Sequence, residues 1–210
     1  MNAFGQYRVA DPDALETPAM LLYPEIMHHN IRSVCELAGG GHNLMVHVKT
    51  HKSEAVARKQ VEAGIHGFKC ATLKELEMVL HAGARKAILA FPQGQERKVE
   101  RLCDLISAFP DAWVATIVSK PHHVELLSTV ATRRKQSLRA MLGYDDAEFV
   151  LQSEEHGVFR IAGELPSVGD YLLAVPGHIC TTTVLYPGIH VIDTAGELVD
   201  YYDHTARDRI

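Results

Sequence analysis

Within about its first 140 residues the sequence runs five times from a short apolar stretch into a helical pattern. The apolar stretches are Thr17 to Tyr23, about 43–49, Gly67 to Ala71, Lys86 to Phe91 and Ala112 to Val118. Helical patterns follow from Pro24 to Ala38, Ser53 to Ala63, Thr72 to about Gly83, Gln95 to Phe109 and Pro121 to about Arg139. Strands that alternate with helices have room for crossovers and so lie parallel. The pattern predicts an α/β fold, either an open doubly wound sheet or a (β/α) barrel. No GxGxxG follows the early strands, and Gly39-Gly40-Gly41 precedes a strand rather than a helix. A dinucleotide fingerprint is therefore not expected.

Beyond Leu142 the period changes. Phe149-Val150-Leu151, Val158 to Ile161, Tyr171 to Val175 and Ile189 to Ile192 are short runs broken by Gly, Pro and Asp, and Ala195-Gly196 is a turn before Glu197 to Tyr202. These predict a small, mostly antiparallel β domain. The expected division is 1–142 for the α/β part and 143–210 for the β part.

Composition narrows the function classes. With 47% hydrophobic and 22% charged residues, the chain reads as an ordinary globular protein. A net charge of −5 and scattered Lys and Arg give no sign of nucleic-acid binding. No apolar run reaches the roughly 18 residues of a membrane span. The opening residues lack a basic segment followed by an apolar core, so no signal peptide and a cytoplasmic location are expected. Cys35, Cys70, Cys103 and Cys180 are widely spaced and are expected as free thiols.

The chemistry concentrates in His47-Val48-Lys49-Thr50-His51-Lys52-Ser53. If the strand continues to its end, His47, Lys49 and His51 share one face. Partial burial beside other cations lowers a lysine's pKa and makes its amine a nucleophile toward carbonyls. Two other readings stay open: a solvated lysine, and His47 with His51 as metal ligands. A second cluster comprises Ser153-Glu154-Glu155-His156-Gly157 and Gly177-His178-Ile179-Cys180. On an extended segment His178 and Cys180 point the same way, and imidazole with thiolate suits Zn²⁺. His156 is equally readable as a turn residue bonded to backbone.

Together these motifs resemble the D-threonine aldolase / D-serine dehydratase family of fold-type III pyridoxal-phosphate enzymes. His47 to Ser53 is similar to that family's cofactor-lysine motif, and Lys69-Cys70-Ala71-Thr72-Leu73-Lys74-Glu75-Leu76-Glu77 to the strand-to-helix segment after it. The second cluster resembles the terminal β domain with its zinc-binding His-x-Cys. The resemblance implies an alanine racemase-like barrel, a Lys49 aldimine with pyridoxal 5'-phosphate, and cofactor contact at Thr72. It further implies a divalent metal, Zn or Mn, on His178 and Cys180. Proton transfer by His51 or His47 is our reading of their shared face.

The implied activity is that of a lyase on small D-β-hydroxy amino acids, by aldol cleavage of D-threonine or dehydration of D-serine, in a homodimer. Met45-Val46 stand where the family carries Arg-Pro, and Thr181 where a proline commonly follows the His-x-Cys. A complete barrel takes about 250 residues. Five strand–helix units therefore predict a partial barrel, as though an internal segment were deleted. The alternatives are a shortened, weakly active or inactive relative, and a non-catalytic cofactor-binding protein of the same fold type.

Overall fold

A computed structural model describes residues 7–142 and 183–207. Its main sheet has five parallel strands in sequential order. They are β2 (Met45–His47), β3 (Gly67–Cys70), β4 (Lys86–Leu89), β5 (Trp113–Val118) and β6 (Ala140–Leu142). Helices α2 (Glu54–Glu62), α3 (Leu73–His81), α4 (Glu96–Ala108) and α5 (Pro121–Arg134) connect them in turn, and α1 (Pro24–Leu37) precedes β2. This is the expected partial α/β barrel. A second sheet takes β1 (Leu21–Leu22), β7 (Gly188–Ile192) and β8 (Leu198–Asp203), in the order β1-β7-β8.

Local chemistry sets the helix ends. Ser53 Oγ accepts the Val56 N–H at 3.5 Å and Thr72 Oγ1 accepts the Glu75 N–H at 3.1 Å, so both are N-caps. At the other ends, α1, α2 and α3 stop in the same way. Gly39, Gly64 and Gly83 have φ of 71°, 90° and 97°, a left-handed conformation that glycine adopts without a Cβ penalty. In each case two backbone N–H groups past the helix reach back to its last carbonyls; Gly83 donates to Leu80 C=O at 3.1 Å and Ala84 to Val79 C=O at 2.9 Å.

Register decides which strand residues enter the core. Phe68, Ala87 and Val114 are direct partners across β3, β4 and β5, and all three are fully buried. They belong to one cluster with Leu76, Val79 and Leu80 of α3 and with Leu102 and Leu105 of α4. The neighbouring row, His47–Lys69–Ile88–Ala115, faces the other way, toward the interior of the barrel. His47 and Ile88 on this row are half-buried and Lys69 is exposed. A smaller cluster of Val99, Cys103, Val118, Leu127 and Val130 joins α4 and α5 to β5.

Three expectations are corrected. The strand at 17–23 shortens to β1 and leaves the main sheet, pairing parallel with β7 through Leu21–His190 and Leu22–Val191. The fifth barrel strand is instead β6, because the last helix ends at Arg134 rather than near Arg139. Lys135 takes the left-handed conformation at φ 52°, and Gln136 N–H bonds back to Ala131 C=O at 3.0 Å. Finally, the lysine strand stops at His47, two residues before Lys49.

The second sheet is antiparallel between β7 and β8 and parallel between β1 and β7. The turn at Ala195-Gly196 forms as expected, with Asp193 Oδ1 accepting the Ala195 and Glu197 N–H groups, both at 2.9 Å. The expected strands at 149–151, 158–161 and 171–175 lie outside the described residues.

Candidate active site

The site gathers where β2 and β3 end, at the C-terminal rim of the parallel strands, the side on which barrel enzymes carry their chemistry. After His47 the chain tightens into a single 3₁₀ turn, Val48–Thr50. Val48 is fully buried and pins the turn to the core cluster. Thr50 Oγ1 donates to His47 C=O at 3.2 Å, and the His51 and Lys52 N–H groups donate to Val48 C=O at 3.1 and 2.9 Å. Lys49 is left on the outside of this turn with its side chain exposed. It does not alternate on a strand face with His47 and His51, and it is not partly buried. The tight turn is the reason: it reverses the chain before the alternation can continue.

His47 is half-buried. Its Nδ1 accepts the Lys49 N–H at 3.3 Å, which leaves the ring proton on Nε2. Burial pushes the imidazole down to about 4, against the raising influence of Glu75 and with the nearby Lys49, Lys69 and Lys52 charges adding to the shift. It is therefore neutral at pH 7. His51 is also held down to about 4, first by burial; the Gln60 side chain and the Ser53 backbone oppose this, while His204 and Lys52 add to it. Its Nδ1 accepts the Ser53 N–H at 3.2 Å. Its Nε2 is enclosed, as is Gln60 Oε1, and neither has a well-formed hydrogen bond. His47 faces the barrel interior, whereas His51 serves the turn.

On β3, Thr72 follows the strand end and caps α3. Its oxygen is occupied as an acceptor from Glu75 N–H, so its O–H can still donate. The N-terminus of α3 adds free backbone N–H groups and a positive dipole end, a fitting place for a phosphate. The rim thus presents an exposed amine after one strand and a hydroxyl at a helix N-terminus after the next.

Sequence reasoning passed over a buried ion pair at this rim. Lys52 Nζ donates to Glu75 Oε1, with Lys52 6% and Glu75 0% exposed. Glu75 stands three residues after Thr72, the spacing of a capping-box partner. Its carboxylate does reach back, to the Ala71 N–H at 2.6 Å, one residue before the cap. A signal was present: Glu75 lies four residues before Val79, on the buried face of α3, where a carboxylate needs a partner.

His178 and Cys180, the expected metal pair, lie outside the described residues, as does His156. Among the described residues no group of three or more His, Cys, Asp or Glu side chains is arranged to hold a metal. Nor is any described helix long and apolar enough to cross a membrane. Cys35, Cys70 and Cys103 are free thiols, as expected.

The five parallel strands and their connecting helices make a partial α/β barrel that carries this rim. The alanine racemase N-terminal domain model matches residues 24–147, more than half of the chain, and the protein belongs to this family. A putative serine dehydratase domain model matches residues 112–192, overlapping the first. D-threo-3-hydroxyaspartate dehydratase of Delftia sp. (strain HT23) is 36% identical over 98 residues, covering 43% of this chain and 26% of that protein.

Among solved structures, D-threonine aldolase from Filomicrobium marinum superposes with a TM-score of 0.53 at 22% identity, over 60% of this chain and 34% of that one. An alanine racemase-like protein from Idiomarina loihiensis gives 0.55 at 18% identity, over 65% and 37%. The Delftia dehydratase gives 0.52 at 24% identity, over 61% and 33%. These likenesses concern the fold. The chain spans about a quarter to somewhat over a third of the length of these relatives.

Proposed function

We propose that this chain is a pyridoxal-phosphate-dependent, metal-assisted lyase domain acting on D-β-hydroxy amino acids, with Lys49 as the cofactor's point of attachment. The observation that carries this reading is the Lys49 amine, exposed on a braced turn at the strand rim beside a neutral His47, with the Thr72 hydroxyl on the neighbouring strand end. The named relatives, a D-threo-3-hydroxyaspartate dehydratase and a D-threonine aldolase, support the reaction class.

Bound pyridoxal phosphate supplies an electron sink for the bond that breaks at the substrate's α-carbon. Lys49 provides the amine. Thr72 O–H and the α3 N-terminus bind the phosphate. His47 offers a donor at Nε2 toward the barrel interior and is the better placed of the two histidines for moving a proton. His51 keeps the turn in shape. His178 and Cys180 would hold a divalent metal, Zn or Mn, whose Lewis acidity would suit a β-hydroxyl leaving group.

A second reading is a shortened relative that is weakly active or binds cofactor without turnover. The partial barrel favours it: among the described residues β2 and β6 each have a neighbour on one side only. Open edges of this kind favour pairing with a second copy, and we propose a homodimer in the cytoplasm.

The test is pyridoxal phosphate addition, borohydride reduction and peptide mapping, followed by assays on D-threonine, D-serine and D-threo-3-hydroxyaspartate. A reduced adduct on Lys49 with chelator-sensitive turnover supports the lyase. An adduct without turnover favours the second reading, and no adduct on Lys49 refutes both.

A further inference from the structure

The side chains of Lys52 and Glu75 are assigned no contact with cofactor or substrate, yet two charges have been withdrawn from water there. Desolvating such a pair is expensive even when its geometry is good. Its connections show what it holds together.

Lys52 is tied at three points. Its N–H donates to Val48 C=O at 2.9 Å, its C=O accepts the Ala206 N–H at 3.0 Å, and its Nζ donates to Glu75 Oε1. Its backbone is left-handed at φ 48°, which a non-glycine residue adopts only when its surroundings hold it there. Glu75 is tied as firmly. One carboxylate oxygen takes Lys52, the other takes the Ala71 N–H at 2.6 Å, and the Glu75 N–H donates to Thr72 Oγ1 at 3.1 Å. The pair therefore bridges the turn that carries Lys49 and the junction that carries Thr72. A surface ion pair would leave this bridge screened and mobile; a buried one fixes it.

We propose that the Lys52–Glu75 pair is a positioning element that locks the Lys49 turn against the Thr72 junction, setting the separation between the amine and the hydroxyl that receive one small phosphorylated aldehyde. This rests on the reading of Lys49 as the attachment residue. The pair acts through the backbone of both segments and takes no part in bond making.

The test compares two aldehydes on the full chain. Pyridoxal phosphate and pyridoxal each condense with an amine, expelling water, and borohydride then reduces the C=N bond; only the first carries the phosphate that Thr72 would meet. In the unaltered protein Lys49 is expected to label at least about tenfold faster with pyridoxal phosphate, the scale on which misplacement is felt. Lys52→Met with Glu75→Gln removes both charges while Gln Oε1 can still accept the Ala71 N–H.

In that variant, once its circular dichroism confirms folding, the preference is expected to fall to about twofold or less while pyridoxal labelling holds. Lys52→Arg, which keeps the charge, is expected to retain most of the preference. A purely structural role would shift the unfolding temperature and leave the preference intact, and that result overturns the proposal. If the double variant does not fold, Glu75→Asp, shorter by one methylene, is read the same way.

Amide hydrogen exchange at 48–53 and 71–73 gives a reading without cofactor. Acceleration of both segments together supports the lock, and unchanged exchange overturns it whatever the cofactor does. No label on Lys49 with either aldehyde in the unaltered chain overturns the functional reading itself, and is seen before any variant is made.

Discussion

Thr183 Oγ1 donates a hydrogen bond of 2.7 Å to the carbonyl of Thr50, across 133 positions of sequence. The turn that presents Lys49 is thus held partly by the C-terminal segment, which also contributes Thr205 Oγ1 to the Glu54 N–H at 3.1 Å and the Ala206 N–H to Lys52 C=O. Thr183→Val keeps the shape and removes the donor. Loss of one such bond costs about 1 kcal/mol. In a chain of this size that lowers Tm by about 2–4 °C. Differential scanning calorimetry checks it, and an unchanged Tm together with unchanged Lys49 labelling would show the contact to be idle.

Breaking the buried pair on one side has a larger effect. Glu75→Ala strands the Lys52 ammonium and the Ala71 N–H, and a lone buried charge costs about 3–5 kcal/mol. Urea unfolding of this variant is expected to show a midpoint far below that of the Lys52→Met/Glu75→Gln protein, even though fewer positions are changed. Equal midpoints would mean that Lys52 finds water or another partner.

Acid should destabilise the protein well above the range in which carboxylates titrate. His47 and His51 are both held down to about 4 in the folded state, mainly by burial, against 6.5 for an ordinary imidazole. His204 is lowered as well, again first by burial. Between those limits the unfolded chain binds more protons than the folded one, so stability is full above about pH 6.5 and falls as the pH drops toward 4. Urea midpoints at pH 7.5 and 5 check the direction. The difference should shrink in His51→Gln, and a flat profile would contradict the buried neutral ring.

Core register can be probed at the Phe68–Ala87–Val114 row. Phe68→Ala removes the largest fully buried side chain among the described residues and is expected to cost about 3–5 kcal/mol. Ile88→Ala, on the half-buried opposite face, should cost clearly less by the same denaturant measurement. If the order were reversed, the interior face of the sheet would be covered more tightly than its helix-packed face.

Much of the architecture was legible because its determinants are local. The caps at Ser53 and Thr72, the glycines after α1 to α3 and the Asp193 turn are each set by a few neighbouring residues. The amphipathic stripe of α3 likewise shows in the sequence. What escaped depended on partners far away. Leu21-Leu22 looks like any apolar strand, and nothing nearby says that it pairs with residues near 190. The turn at 48–50 escaped because Val48 is drawn into the core, which ends the strand that Lys49 and His51 would otherwise continue. Lys52 and Glu75 escaped because a buried pair is visible only when both sides of it are in view. The motif at 47–53 was legible as chemistry and misread as geometry.

The pairing of β1 with β7 has a consequence for how the chain assembles. Each strand from β3 to β6 pairs with the strand just before it, so that sheet can grow in step with synthesis on the ribosome. Leu21 and Leu22 emerge first and then wait for His190 and Val191. Contacts of such long sequence separation form late. Until those residues are made β1 lacks its partner β7, and it is a segment that a chaperone would find unpaired.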